Sequence, residues 1–253
     1  MAEQHAADEF RHPDTRRIST YYDRVAAQYD DQVDGHELNR TTRDAFRPRV
    51  SELAGPAGTI LDFGCGTGTD AAWYADRGHR VYAYDISAGM VDVLCARFSE
   101  HVARRRIIPI AGSLAELESA LRPRAPVDAV ASNFAVLNHF HDLDAPFHML
   151  ASLLRPGGSL VASMLNPFQR DDVRRLWWWR GLLESLRTGS IPYHGEVTTY
   201  RHFVGTIRRM ARPHFAHVEV GHADATGRWS NEPLGWRDAM GPHFLFVALR
   251  KDA

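Results

Sequence analysis

The amino-acid sequence predicts an α/β fold: a doubly wound, mostly parallel sheet of seven strands, with an insertion before the last two. Three observations predict it. Between Thr59 and Leu165 short apolar runs alternate with helix-patterned segments; the glycine-rich turn Gly64-Cys65-Gly66-Thr67-Gly68 joins the first of these runs to a helix; and the alternation breaks at Asn166-Pro167 before two further apolar runs. Strands separated by helices of this length are joined by right-handed crossovers, which makes them parallel and places helices on both faces.

Residues 1 to about 15 are charged, contain histidine and lack periodicity, and are expected to be disordered or loosely attached. From Ile18 to about Tyr29 the pattern IxxYYxxVAxxY has the period of an amphipathic helix. A second helix is expected from about Arg40 to Leu53, ahead of Gly55-Pro56. Strands follow at Thr59–Phe63, Arg80–Tyr84, Ile107–Ala111, Val127–Ser132 and, after Arg155-Pro156-Gly157-Gly158, Ser159–Leu165. The helices between them are Asp70–Arg77, Ala88 to about Ala103, Ser113–Leu121 and Asp144–Leu154. Segment 166–213, rich in Arg, Trp, Tyr and His, reads as an insertion over the edge of the sheet where ligands bind. Ala216–Gly221 and Phe244–Arg250 complete the sheet. One domain, 1–253, is expected, with its core in 18–165 and its terminal strands in 214–253.

With 253 residues, 44% of them hydrophobic and 24% charged, the chain can bury one sizeable core. Thirty basic residues against 31 acidic ones give a formal net charge of −1, which argues against a nucleic-acid partner. The short basic clusters Arg104-Arg105-Arg106 and Arg174-Arg175 read as solvated helix faces or ends. Cys65 and Cys95 fit neither a disulfide nor a metal spacing, which suits a reducing cytoplasm. The amino terminus lacks the apolar stretch of a signal peptide, and no run of about 18 apolar residues occurs. A cytoplasmic protein with no membrane partner and no metal centre is expected.

The most informative stretch is Ile60-Leu61-Asp62-Phe63 followed by the glycine turn. Glycines let the chain turn tightly and let a ligand approach the backbone with no Cβ in the way. The next strand ends in Asp85, 23 positions after Asp62, where an acid can accept hydrogen bonds from both hydroxyls of a ribose. Dinucleotides and S-adenosylmethionine (SAM) both carry that ribose. The flanking Asp62 and Asp70 favour SAM, which brings a sulfonium and an ammonium, over a pyrophosphate that acids would repel.

LDFGCGTGTDAAWYADRGHRVYAYDIS resembles the first two motifs of the class I SAM-dependent methyltransferases, nearest to the small-molecule branch with the ubiquinone-type enzymes. VDAVASNFAVLNHF is similar to the family's fourth-strand motif, and LLRPGGSLVASML to its turn into the fifth strand. The resemblance covers about Ile18 to Leu165 and implies a Rossmann-like fold with SAM as cofactor. It implies that Gly64 and Gly66 lie against the methionine part, with Asp62 and the Asn133 carbonyl on its ammonium. It gives Asp85 the ribose, Ile86 and Met90 the adenine face, and Ser113 and Leu114 the adenine edge, where the family often places Asp instead of Ser113. Tyr21, Tyr22 and Tyr29 resemble an amino-terminal signature that closes over SAM, although only one of Tyr21 and Tyr22 can face it. Asp85 and Ser113 are equally good helix caps, so each has a purely local reading.

The acceptor belongs beyond the carboxyl ends of the strands, framed by Phe134–Phe140 and the 166–213 insertion. Methyl transfer is an in-line displacement that gains from proximity, and from a base when the nucleophile bears a proton. His139, just after the fourth strand, is the candidate base. His194 and His202 in the insertion are alternatives to it. With Trp177 of the Trp177-Trp178-Trp179 run and Tyr200, they are the candidate acceptor-binding residues. The expected activity is methyl transfer to an O or N atom of a small molecule. A nicotinamide-dependent oxidoreductase on the same sheet, or a SAM-binding protein without catalysis, are the alternatives.

Overall fold

The computed structural model describes residues 14–33, 36–122, 126–223, 228–230 and 242–252. The expectation for residues 1 to about 15 falls almost wholly outside them. Its strands are β1 (Thr59–Phe63), β2 (Arg80–Asp85), β3 (Ile107–Ala111), β4 (Val127–Ser132), β5 (Leu154–Leu165), β6 (Ser190–His194), β7 (Thr198–His202), β8 (His217–Ala223), β9 (Trp229–Ser230) and β10 (Phe244–Arg250). Its helices are α1 (Asp14–Val25), α2 (Tyr29–Val33), α3 (Glu37–Ala54), α4 (Thr69–Asp76), α5 (Ala88–Arg97), α6 (Ser99–Ala103), α7 (Leu114–Leu121), α8 (Asp144–Leu153), α9 (Arg170–Val173), α10 (Leu176–Thr188) and α11 (Val204–Ala211).

The main sheet runs β3-β2-β1-β4-β5-β10-β8-β9. The first five strands are parallel, and β10 lies antiparallel between β5 and β8. The chain winds outward from β1 through β2 to β3, then returns to the other side of β1 with β4. That reversal opens a crevice at the carboxyl ends of β1 and β4, the place where such sheets bind ligands.

Side chains alternate across each strand, so neighbours enter different cores. Leu61 and Phe63 join Val130, Leu160, Phe147 and Leu150 on one face. Ile60 joins Val81, Ala131, Val161, Phe46 and Tyr74 on the other. Covering both faces is why these strands read as nearly continuous apolar runs.

Four differences from the sequence expectation have local causes. The helix expected from Ala88 to Ala103 bends at Phe98 (φ −117°, ψ 34°) and becomes α5 and α6. Strand β5 starts at Leu154, which pairs with Val127 before the register shifts and Ser159 pairs with Ala129. The shift needs Gly158, where a Cβ would stand 3.0 Å from the carbonyl oxygens of Arg155 and Asp128. The two-residue β9 adds an eighth strand at the edge. Within 166–213, α9, α10 and the separate β6–β7 hairpin lie outside the main sheet, whereas Ile207 and Ala211 of α11 belong to its core. The segment that departs from the alternating pattern is therefore 166–203, and α11 is the crossover helix between β5 and β8.

Candidate cofactor and acceptor site

A cleft of about 330 Å³ opens at the β1–β4 reversal. After β1 the backbone enters left-handed conformations at Gly64 (φ 81°) and Gly66 (φ 52°). A Cβ on Gly64 would overlap Val136, 2.4 Å away, whereas one on Gly66 would meet nothing nearer than Tyr29 at 3.8 Å. Gly64 thus admits the β4 loop, and Gly66 leaves room on the cleft side. The N–H groups of Gly64 and Cys65 both donate to Tyr84 O at 2.8 Å, which ties the turn to β2.

The acids sit at the strand tips. Asp85 Oδ2 accepts from Gly66 N–H and its Oδ1 from Ser87 N–H, each at 2.9 Å. Burial raises its carboxyl to about 6 against these hydrogen bonds. The amino-terminal cap of α5 is Ser87, whose hydroxyl accepts from Met90 N–H, so Asp85 is not that helix's cap. Asp62 is 2% exposed, and its buried Oδ2 has no hydrogen-bond partner. Burial, and then the charge of Asp70, push the Asp62 carboxyl well above its usual range. A buried carboxylate oxygen without a partner is costly in isolation, and a cation at that point would relieve it.

A network absent from the sequence reading lies behind this acid. Asp70 accepts from Arg43 (3.1 Å), Arg47 (2.6 Å) and Asn133 Nδ2 (2.8 Å). Asn133 Oδ1 accepts from Ser163 Oγ and Phe134 N–H. The side chain of Asn133 is thereby engaged, and the following Phe134 and Ala135 hold left-handed φ values of 55° and 64°. The signal available in the sequence was the four-residue spacing of Arg43 and Arg47 on α3, which puts both on one face.

The amino-terminal helices close over the turn. Asp23 Oδ1 accepts from Ser87 Oγ (2.6 Å) and Gly89 N–H (2.9 Å), and Asp30 bonds to Thr67 and Arg97. Tyr22 and Tyr29 line the cleft, whereas Tyr21 lies in a surface groove with Arg24 and Glu196. His139, on the turn after β4, places Nδ1 3.2 Å from Thr198 O. A carbonyl only accepts, so Nδ1 carries a hydrogen, and in the neutral form of the ring Nε2 accepts from Tyr22 OH at 3.3 Å. Burial pushes the Tyr22 phenol well up, so it stays protonated and donates.

Of the residues named from sequence, Tyr29, Asp62, Gly64, Gly66, Asp85, Ile86, Met90, Leu114, Asn133 and His139 line this one cleft. Tyr21, Ser113, Trp177, His194, Tyr200 and His202 are not among the lining residues. Ser113 caps α7 in a reciprocal arrangement with Glu116. Trp177 packs on Tyr193 and under Arg201, with ring centroids 4.9 Å apart and the guanidinium 4.7 Å from the indole. His194 lies exposed on the hairpin, 3.5 Å from Thr198 Oγ1. Tyr200 O accepts from Asn138 Nδ2 (2.6 Å), and buried His202 donates from Nε2 to Phe140 O (3.0 Å). Burial lowers the His202 imidazole to about 4, so it remains neutral there. These contacts fasten the hairpin to the loop that carries His139. The outer cleft wall is instead Ile18, Phe140, His141, Ala145 and Pro146. Among the described residues, no group of His, Cys, Asp and Glu has the arrangement of a metal site, and no helix is long and apolar enough to cross a membrane.

Comparison with known proteins places this geometry. A family model described as a methyltransferase domain matches residues 35–198. An uncharacterized methyltransferase of Mycobacterium tuberculosis is 36% identical over 127 residues, which are 49% of this chain and 60% of that protein. A demethylmenaquinone methyltransferase of Thermobifida fusca is 29% identical over 168 residues, covering 66% of this chain and 68% of the relative. Among solved structures, a Burkholderia thailandensis 1,6-didemethyltoxoflavin-N1-methyltransferase, with S-adenosylhomocysteine bound, shares the fold at a TM-score of 0.61. It is 20% identical, and the match covers 94% of this chain and 88% of that one. The chain belongs to the methyltransferase-domain family, with the fold of the class I SAM-dependent methyltransferases.

Proposed function

We propose that the protein transfers the methyl group of SAM to an oxygen or nitrogen atom of a small molecule. The observation that carries this reading is the cleft itself. It sets the unpartnered Asp62 Oδ2 and the tip of Asp85 at one end and His139 Nε2 at the other.

SAM supplies an electrophilic methyl carbon on a sulfonium. Asp62 is suited to its ammonium and Asp85 to its ribose hydroxyls, while Ile86, Met90 and Leu114 give the adenine an apolar slot. Asp62, beside the glycine turn, opposes a pyrophosphate, which disfavours a dinucleotide, whereas Asp85 suits the ribose of either. At the outer end, an acceptor hydroxyl or amine displaces the Tyr22 hydroxyl from His139 Nε2. His139 would take the acceptor's proton as the acceptor receives the methyl group that bound SAM would supply. The charge formed on the imidazolium is shared through Nδ1–H with Thr198 O. Ile18, Phe140 and Pro146 keep water from the reacting atoms. This cleft of about 330 Å³ must take both SAM and acceptor, which favours a small acceptor. The malonyl-[acyl-carrier protein] O-methyltransferase of Yersinia pestis and the toxoflavin N1-methyltransferase, both similar to this chain, are named for O and N targets.

Incubating the protein with methyl-labelled SAM and a metabolite extract tests the reading. Label in a new small-molecule product, on oxygen or nitrogen, is expected. SAM binding with no labelled product from any fraction would leave a binding protein and overturn the catalytic part.

A further inference from the structure

We propose that the exposed face of α10 is a peripheral membrane-binding surface that docks on anionic lipid headgroups. The helix divides its aromatic run by burial. Trp178 is buried, with its indole N–H donating to Pro167 O (2.6 Å), and Trp177 is covered by Arg201 and Tyr193. On the other side Leu176, Trp179 and Leu183 stay 65%, 55% and 75% exposed. They stand at i, i+3 and i+7, which makes one stripe along the helix. Exposed Phe168 lies beside it, against Trp178.

Arg170, Arg174, Arg175 and Arg180 are exposed in and around the stripe. Of the acids in α9, Asp172 is engaged by Arg201 at 2.7 Å, and Asp171 is exposed. A helix that carries Trp and Leu along one strip, edged by arginines, has the composition of a helix lying in a bilayer interface. Its apolar groups enter the boundary of headgroups and acyl chains while the guanidinium groups meet lipid phosphates. A second copy of this chain is a poorer occupant. Two-fold contact through the stripe would bring the arginine cluster against its own copy.

The surface is mechanically close to the cleft. Helix α10 packs on β6, β6 pairs with β7, and Thr198 and Tyr200 of β7 bond to His139 and Asn138. The sequence expectation of no membrane partner rested on the lack of a spanning segment, which a surface-lying helix does not need. Three apolar side chains without a lipid anchor give weak, salt-sensitive attachment.

Co-sedimentation of the full chain with phosphatidylcholine vesicles, with and without phosphatidylglycerol, at low and high salt, tests this. Binding that appears with phosphatidylglycerol and declines with salt is expected. The variant Leu176→Ser/Trp179→Ser/Leu183→Ser should partition roughly tenfold less, equivalent to about 1.4 kcal/mol, with its SAM affinity unchanged. The single Leu183→Ser, at the most exposed position, repeats the test with least risk to folding. Arg174→Gln/Arg175→Gln/Arg180→Gln should remove the dependence on phosphatidylglycerol. Absence of sedimentation with anionic vesicles at low salt would overturn the proposal, as would equal binding by wild type and Leu183→Ser. A wild-type dimer in light scattering that Leu183→Ser makes monomeric would assign the stripe to a second copy and overturn it as well.

Discussion

The two ends of the cleft are built in different ways. At the end we propose for the cofactor, the polar groups stand on strand tips and on a turn held in left-handed conformations, so backbone geometry places them. At the acceptor end the wall comes from α1, the loop after β4 and the start of α8, held by side-chain bonds such as Asn138 to Tyr200 and His202 to Phe140. The hairpin of the 166–203 segment braces that wall instead of lining it. On the proposed reading, the geometry of the sheet edge presents the cofactor, whereas tertiary contacts shape the acceptor region.

Changes at five positions would break or sharpen this contrast. The largest effect is expected at His139. His139→Ala should lower kcat by about 10²–10⁴-fold if its Nε2 removes the acceptor proton, with SAM affinity nearly unchanged. Tyr22→Phe, which removes only the hydroxyl bonded to that nitrogen, tells loss of the base from loss of the loop contact. Near-normal turnover by His139→Ala across the pH range would reduce the acceptor end to positioning alone.

At the other end, Asp85→Ala should weaken SAM by about ten- to a hundred-fold, roughly 1.5–3 kcal/mol, read by calorimetry. An unchanged dissociation constant would confine Asp85 to holding Gly66 and Ser87. The pH dependence follows from the same group. Burial raises Asp85 to about 6, so the free protein takes up a proton below that pH, and the proton must leave before ribose hydroxyls can donate to a carboxylate. Through Asp85, SAM affinity should fall by up to about tenfold per unit below about pH 6, with Asp62, also raised by burial, adding its own proton to the profile. Asp85→Asn should take one proton out of that slope, and an unaltered slope would contradict the assignment.

Ser113→Ala should cost about 1 kcal/mol through loss of the α7 cap, lowering Tm by about 2–4 °C without changing SAM affinity. A tenfold loss of affinity would instead return Ser113 to the adenine edge. The smallest effect is expected from Tyr200→Phe. Phe keeps both the carbonyl that accepts from Asn138 and a ring to pack on the cleft-lining His141, so acceptor KM should move by less than about twofold.

The strand tips and glycine turn that line the cleft were legible in the sequence because their determinants are local. A glycine-rich turn after an apolar run, and an acid at the end of the next, fix positions through strand geometry alone. Strands β1, β3, β4 and β10 begin and end where their apolar runs do. The choice of Tyr22 over Tyr21 was not legible, since adjacent residues on one helix carry the same motif and only docking decides which faces inward. Ser113 and Asp85 looked alike as possible caps, and the structure separates them by their partners, Glu116 for one and the glycine turn for the other. Trp177, His194, Tyr200 and His202 carry suitable chemistry, but Trp177 lies on α10 under Arg201, and on the hairpin His194 meets Thr198, the Tyr200 ring packs on His141 and His202 bonds to Phe140. The Arg43–Asp70–Asn133 network joins residues up to 90 positions apart, beyond any local pattern.

The claim that Asp62, at the tip of β1, selects SAM over a dinucleotide is tested most directly by calorimetric titration of the protein and its Asp62→Asn variant with SAM and NAD. Micromolar SAM binding, no measurable NAD binding and roughly tenfold or greater weakening in Asp62→Asn are expected. Tight NAD binding without SAM binding, or a variant that binds SAM as the wild type does, would contradict the account.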